Sequence, residues 1–280
     1  MKKSRFRLGI LAIFFSIAPA QSVPIIFDLG GVLIETRYFH SMLNVGPFTM
    51  MSYALTFKNP FSCHNKLFEV LEAIQPAAQP LIVKDHYGIT MPPLMAQWLK
   101  GEVSGDEILW LVDNHLKNHE NWIEKLLIKS VAQLIFIPEN FAASRYLVPQ
   151  GVDFVRECKQ AGHKLYILSN WDSDSFDYLQ ALYPDFFNLF DGIVISGDVN
   201  VAKPDPAAYK YLTKKYHVNP HSCIFIDDQA ENILTAQKLG MHAIHYKKKN
   251  SLFFRRPDFD GVREKINAFL DSKNLPAPIN

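Results

Sequence analysis

Three short apolar runs in this chain stop abruptly at polar residues, and that pattern constrains the fold more than anything else in its 280 residues. Val23-Pro-Ile-Ile-Phe27 runs into Asp28-Leu-Gly-Gly31, Lys164-Leu-Tyr-Ile-Leu168 into Ser169-Asn170, and Cys223-Ile-Phe-Ile226 into Asp227-Asp228. Runs that are apolar on both faces read as central strands of a parallel sheet, and Pro24 is tolerable because it stands at a strand's beginning. Ile193-Val-Ile195, followed by Gly197, reads as another strand, and Ala243-Ile244 begins one more. Helical patterns lie between them. Phe154, Cys158 and Ala161 fall at i, i+4 and i+7, with Gly162 as the residue after the C-cap. Asp205-Pro206 reads as an N-cap and first-turn proline ahead of a Tyr209, Leu212, Tyr216 stripe. A helix carrying Ile233 and Ala236 stops at Gly240. Strand and helix alternating over short connections predict a doubly wound α/β sheet.

From Thr36 to about Val148 the pattern changes to helical periodicity, with breaks at Asn59-Pro60, Gln79-Pro80 and Pro92-Pro93. This block interrupts the sheet after its first strand, so a separate helical subdomain near the same sheet edge is expected. In doubly wound sheets, ligands sit outside the carboxyl ends of the strands. That rule selects Asp28, Ser169, Asn170, Asp227 and Asp228 as candidate chemistry.

Composition excludes several classes. With 29 basic against 28 acidic residues, the net charge is +1, so no global field draws the chain to nucleic acid or an anionic membrane. No Cys-x-x-Cys half-site accompanies the histidines, so the spacing of a zinc finger is absent. Cys63, Cys158 and Cys223 are far apart and odd in number, imply no disulfide framework, and read as small buried hydrophobes. At the N-terminus, the basic start from Met1 to Arg7, the apolar run from Leu8 to Ile17 and the small residues of Ala18-Pro-Ala20 follow the order of a secretory signal peptide. The run is too short for a comfortable bilayer span, so stable membrane insertion of the mature chain is not expected. The expectation is an exported, periplasmic or secreted protein; the alternative is a terminal helix on a cytoplasmic one.

Three carboxylates at one sheet edge cannot all stay ionised without a cation, because like charges raise one another's pKa. A hard divalent ion resolves this, and Mg²⁺ favours one or two carboxylates plus water and substrate phosphate. Ser169 and the Asn170 amide can hydrogen-bond phosphoryl oxygens, and Lys203, ahead of Pro204-Asp205-Pro206, can reach in as a point charge. Positioning and charge neutralisation of this kind are what phosphoryl transfer requires.

At these residues the chain resembles the haloacid dehalogenase superfamily. Asp28-Leu-Gly-Gly-Val32 is similar to its first motif, Ser169-Asn170 to its second, Lys203-Pro-Asp-Pro206 to its third, and Phe225-Ile-Asp-Asp-Gln-Ala-Glu-Asn232 to its fourth. Leu99-Lys-Gly-Glu-Val-Ser-Gly-Asp-Glu107 resembles a helix–turn–helix signature of the family's helical cap. The resemblance implies Asp28 as nucleophile and metal ligand, the Gly30 carbonyl and Asp228 as further ligands, and Asp227 holding metal-bound water. It also implies that Ser169, Asn170 and Lys203 grip the phosphoryl group, with Lys203 catalytic alongside Asp28, and that Asn232 orients the loop. One departure stands out: the family usually carries an Asp two residues after the nucleophile as general acid and base, and here that residue is Gly30. The 2-haloacid dehalogenases of the superfamily also lack it, but they lack the paired metal carboxylates too. The Asp-Leu-Gly start further resembles a sugar-1-phosphate phosphatase branch that works without that Asp.

The expected organisation is therefore a signal peptide at 1–20, a Rossmann-like core at 21–37 and 150–280, and a helical cap at 38–149. The expected function is Mg²⁺-dependent hydrolysis of a small phosphorylated metabolite, a sugar phosphate among the candidates, through an aspartyl-phosphate. A 2-haloacid dehalogenase and an exported non-catalytic binding protein are the alternatives. Three further features are weighed against plainer roles. Trp171-Asp172 is read equally as substrate wall or packing. Lys247-Lys-Lys249 with Phe253-Phe-Arg-Arg256 is read as a solvated loop. Met50, Met51, Tyr53 and Phe57 are read as cap core.

Overall fold

A computed structural model of the chain describes residues 22–37, 63–76, 90–250 and 255–273, together with Gly46, Met51, Leu275 and Ile279. The segment read as a signal peptide lies outside the described residues, as do Met50, Tyr53, Phe57 and Phe253.

The chain enters through β1 (Pro24–Phe27) and β2 (Ile34–Thr36). It continues through helices α1 (Cys63–Ile74), α2 (Pro93–Leu99), α3 (Gly105–His115), α4 (Trp122–Phe136) and α5 (Pro138–Ala143). It returns by β3 (Arg145–Leu147) and winds through α6 (Pro149–Gln160), β4 (Lys164–Ser169), α7 (Ser173–Leu182), α8 (Pro184–Phe187), β5 (Gly192–Ile195) and α9 (Ser196–Val199). It ends in α10 (Pro206–Lys215), β6 (Ile224–Asp227), α11 (Ala230–Lys238), β7 (His242–His245), the small ribbon β8 (Lys249–Asn250) and β9 (Arg255–Arg256), and α12 (Phe259–Ser272).

Five strands form one sheet in the order β5-β4-β1-β6-β7, and every neighbouring pair is parallel. The expected α/β sheet is present. Its strands bury both faces because alternate side chains enter different cores. Ile25, Phe27, Leu165, Ile167, Ile224 and Ile226 pack with Phe154, Cys158, Val262 and Ile266 on the α6 and α12 side. Ile26, Tyr166, Leu168 and Phe225 pack with Tyr209, Leu212, Ile233 and Ala236 on the α10 and α11 side. The chain starts in the middle at β1, builds outward through β4 and β5, then crosses back to β6. The order reverses beside β1, which is where such sheets open a crevice.

The stop signals behave as the residues dictate. Gly162 (φ +86°) and Gly240 (φ +87°) follow their helices in the left-handed region that L side chains rarely adopt. Asp205 caps α10 by accepting from Ala207 N at 2.8 Å, with Pro206 in the first turn. Pro93 opens α2, so the Pro92-Pro93 break is a helix start.

Helices α1–α4 bury a cluster of their own, including Leu67, Leu71, Trp98, Ile108, Val112, Leu127 and Val131. The block is joined to the sheet domain across a feature that the helical periodicity did not announce. Antiparallel β2 and β3 pair Ile34 with Leu147 and Thr36 with Arg145. Three residues per strand are too few to show alternation in a sequence.

Candidate active site

Asp28 follows β1 directly, Ser169 is the last residue of β4 and Asp227 the last of β6, so three adjacent strands deliver the site. Lys203 comes from the loop before α10 and is 1% exposed, a depth an ammonium tolerates only when paired. Its Nζ lies 2.9 Å from Asp28 Oδ1 and 2.7 Å from Asp227 Oδ2. Ser169 Oγ donates to the same Asp28 oxygen at 3.0 Å. Carboxylate oxygens of Asp28, Asp227 and Asp228 all come within 4.8 Å of one another.

The electrostatics follow from one buried cation among three carboxylates. Burial raises Asp28 to about 6, Lys203 opposing and Asp227 adding to the rise. Asp228 is pushed up to about 8 by burial, then by Asp28 and Asp227, with Lys203 only partly offsetting them. Burial on its own would pull Lys203 down, but Asp227 and Asp28 outweigh it and hold the ammonium above its ordinary range. Asp228 Oδ1 is buried without a hydrogen-bond partner. An orphaned carboxylate oxygen beside two other carboxylates is the donor set a hard divalent cation takes. The residues present therefore fit Mg²⁺.

Two side chains make structural contacts in addition to the roles the resemblance implies. Asp227 accepts from Lys203 Nζ at 2.7 Å, from Gln229 N at 2.8 Å, and from Asn232 Nδ2 at 3.0 Å on each oxygen. Asp227 is thus the anchor that holds Lys203 and the start of α11 beside the carboxylate cluster. The Asn170 side chain is likewise committed. It accepts from Lys203 N and donates to Lys203 O, both at 2.8 Å. It clamps the lysine's backbone, leaving only the main-chain amide of Asn170 for a phosphoryl oxygen. Asn232 is buried against Asp227 and donates to its carboxylate.

The turn after Asp28 shows why a glycine stands at position 31. Gly31 has φ +74°, and a Cβ on it would meet Asp228 Oδ2 at 2.2 Å. Gly30 is different: a Cβ there meets nothing within 4 Å. Trp171 proves to be a packing residue, 5% exposed and edge-on to Phe141 with ring centroids 5.4 Å apart. Asp172 caps α7 by accepting from Ser175 N at 2.9 Å. Cys158 and Cys223 are free and buried; burial raises both thiols, Cys223 to about 12, so neither is a nucleophile.

The parallel sheet gathers Asp28, the buried Lys203 and the Asp227–Asp228 pair at its switch point, the layout of an enzyme that works from its sheet edge. The model of the haloacid dehalogenase-like hydrolase family matches residues 25–240, and the chain belongs to that family. It is 33% identical over 91 residues to a sesquiterpene phosphatase of Aspergillus oryzae, covering 32% of this chain and 46% of that protein. It is 31% identical over 102 residues to a drimenol cyclase of Aspergillus calidoustus, covering 35% of this chain and 19% of that protein. The matches thus span less than half the length of either relative. In three dimensions it resembles a haloacid dehalogenase family enzyme of Bacteroides thetaiotaomicron, with a TM-score of 0.53, 17% identity, and coverage of 82% of this chain and 96% of that one. That enzyme is also known in complex with magnesium and inorganic phosphate.

Proposed function

We propose that this chain hydrolyses a small phosphomonoester in two steps, with Asp28 as nucleophile and Mg²⁺ as cofactor. The observation that carries the reading is the orphaned Asp228 oxygen beside Asp28, in a site where two buried carboxylates and one half-buried one gather around the Lys203 ammonium. Asp28 attacks phosphorus, the P–O bond to the leaving group breaks, and an aspartyl-phosphate forms; water then cleaves it and regenerates the carboxylate. Lys203 and Ser169, already on Asp28 Oδ1, hold the nucleophile and lie where they can bind the phosphoryl oxygens. Asp28, Asp228 and the Gly30 carbonyl would hold Mg²⁺, which supplies charge neutralisation for the phosphoryl group. The helical block would act as a cap that excludes bulk water and sets specificity. The magnesium and phosphate complex of the structurally similar Bacteroides enzyme supports the choice of ion.

Purified protein should hydrolyse p-nitrophenyl phosphate with Mg²⁺ and lose that activity in EDTA. Halide release from a 2-haloacid without metal would establish the dehalogenase alternative, and neither activity the non-catalytic one. The carboxylate pair favours the phosphatase, because displacement of halide from carbon calls for no cation. A sugar phosphate remains our preferred substrate class, on the resemblance of the Asp-Leu-Gly start. We also propose that residues 1–20 direct export, with the mature chain beginning at Gln21. N-terminal sequencing of secreted or periplasmic protein tests this; a mature cytoplasmic chain still starting at Met1 or Lys2 would refute it.

A further inference from the structure

Three backbone segments meet beside the site: the α2–α3 turn of the helical block, the start of α9, and the loop after β4. Ser196, 2% exposed, stands at the junction. Its Oγ accepts from Trp171 N at 2.9 Å and donates to the Leu99 carbonyl at the end of α2. Gly197 N donates to Trp171 O at 3.0 Å. Four residues on, Asn200 donates from Nδ2 to the Lys100 carbonyl at 2.8 Å. The approach is close enough to need two glycines. A Cβ on Gly101 (φ +68°) would meet the Gly197 carbonyl oxygen at 2.6 Å, and one on Gly197 would meet Ser173 N at 2.5 Å. Aromatic contacts run parallel to this seam: Trp98 of α2 lies 5.5 Å from Phe141, which lies 5.4 Å from Trp171.

The segment 196–203 that carries Ser196 and Asn200 ends at Lys203. The loop that Ser196 holds carries Asn170, whose amide clamps the Lys203 backbone on both sides. We infer that Ser196 is a positioning residue that couples docking of the helical block's α2–α3 turn to the seat of Lys203. The hydroxyl touches no reacting atom. It fixes the register between the cap turn and both loops that grip Lys203, so a shift in one is felt in the other. Misplacement of a positioning group by about 1 Å can cost on the order of 100-fold in rate, and a single lost hydrogen bond should yield part of that.

The inference rests on the phosphatase reading for its rate effect but not for its structural one, and the test separates the two. Ser196→Ala should accelerate hydrogen exchange about tenfold at the Trp171 amide and at residues 100–102. It should also lower kcat per folded molecule about tenfold on p-nitrophenyl phosphate, with the Mg²⁺ half-saturation unchanged, since no metal-site carboxylate touches Ser196. Asn200→Ala, at an exposed residue, should move exchange at residues 100–102 and kcat the same way by less, and serves if Ser196→Ala folds poorly. Wild-type exchange and wild-type kcat in both variants would overturn the coupling, as would faster exchange with kcat unchanged. If the wild type lacks phosphatase activity, the functional reading fails; unchanged exchange in Ser196→Ala would then reject the coupling on its own.

Discussion

At the carboxyl edge of the sheet, Asp28, Ser169, Lys203, Asp227 and Asn232 are buried and hydrogen-bonded into one cluster. In the helical block, every buried side chain described between residues 63 and 136 is apolar. The two regions hold themselves together by different means. The block gains roughly 1.5–3 kcal/mol for each fully buried Leu, Ile or Val and is tied to the other domain by a ribbon and a seam. The site is electrostatically costly, with two carboxylates pushed well above their ordinary range, and it persists because β1, β4 and β6 beneath it are buried apart from the first residues Pro24 and Lys164. Chemistry therefore belongs to the sheet edge, while the block can vary in sequence so long as it stays apolar inside.

The largest expected effect tests whether the edge is catalytic and dispensable for folding. Asp28→Asn should lower turnover by at least ~10⁴-fold, as loss of a nucleophile does. Thermal stability should hold or rise, because the substitution removes a charge that burial disfavours while Asp227 still pairs with Lys203. A variant that keeps its activity, or one that unfolds, breaks the contrast between the regions.

The block offers the converse experiment. Trp98 is 4% exposed and packs edge-on to Phe136 at 5.1 Å. Trp98→Ala should cost about 3–5 kcal/mol, and hydrogen exchange should quicken in α1–α4 while β1, β4 and β6 stay protected. Equal loss of protection in both regions would show that they unfold as one unit.

Legibility differed between the two regions for physical reasons. The edge residues could be read because strands buried on both faces are continuous apolar runs, and whatever polar residue ends such a run must sit at the rim. Lys203 could be placed because the capped, proline-started α10 follows it. The Asn170 clamp could not be read, since its partner is a backbone 33 residues away that only the fold brings near. Ser196 gave no sign for the same reason: its acceptor, Leu99, is 97 residues distant. The helix α12, with Phe259, Val262, Ile266 and Leu270 on one buried face, follows plain helical periodicity but carries no polar stop or motif to mark it.

The metal requirement sharpens the contrast through pH. The raised pKa values of Asp28 and Asp228 mean that the metal-free fold binds more protons than the unfolded chain between about pH 4 and 8. The stability that these two protonated groups contribute is present below the unfolded value of 3.8 and is lost as pH rises through about 6 and then about 8. Mg²⁺ must displace those protons, so its affinity should fall roughly 50- to 100-fold from pH 8 to pH 6. Calorimetry in buffers of different ionisation enthalpy should show proton release. Affinity independent of pH would place the ion elsewhere.

The smallest effect concerns the open space at Gly30. A positioned general acid typically contributes about 10²–10⁴ in rate by protonating the leaving oxygen, and glycine at this position supplies none. Glu35, a few residues along, is not free to substitute: its carboxylate pairs with Lys248 at 2.6 Å and accepts from the Tyr146 hydroxyl at 3.3 Å. Substrates with acidic leaving groups, such as anomeric sugar, aryl and acyl phosphates, should therefore turn over best, and rate should depend steeply on leaving-group acidity. The backbone at Gly30 is not in the left-handed region, and a new side chain there meets no atom within 4 Å of its Cβ, so Gly30→Asp should fold without strain. A carboxyl introduced without supporting contacts should recover only part of the general-acid effect, about tenfold for poor leaving groups and little for good ones. Rates across aryl phosphates of graded acidity measure this directly. A flat wild-type series, unaltered by Glu35→Gln, would show that another acid already serves the site and that Gly30 carries no such consequence.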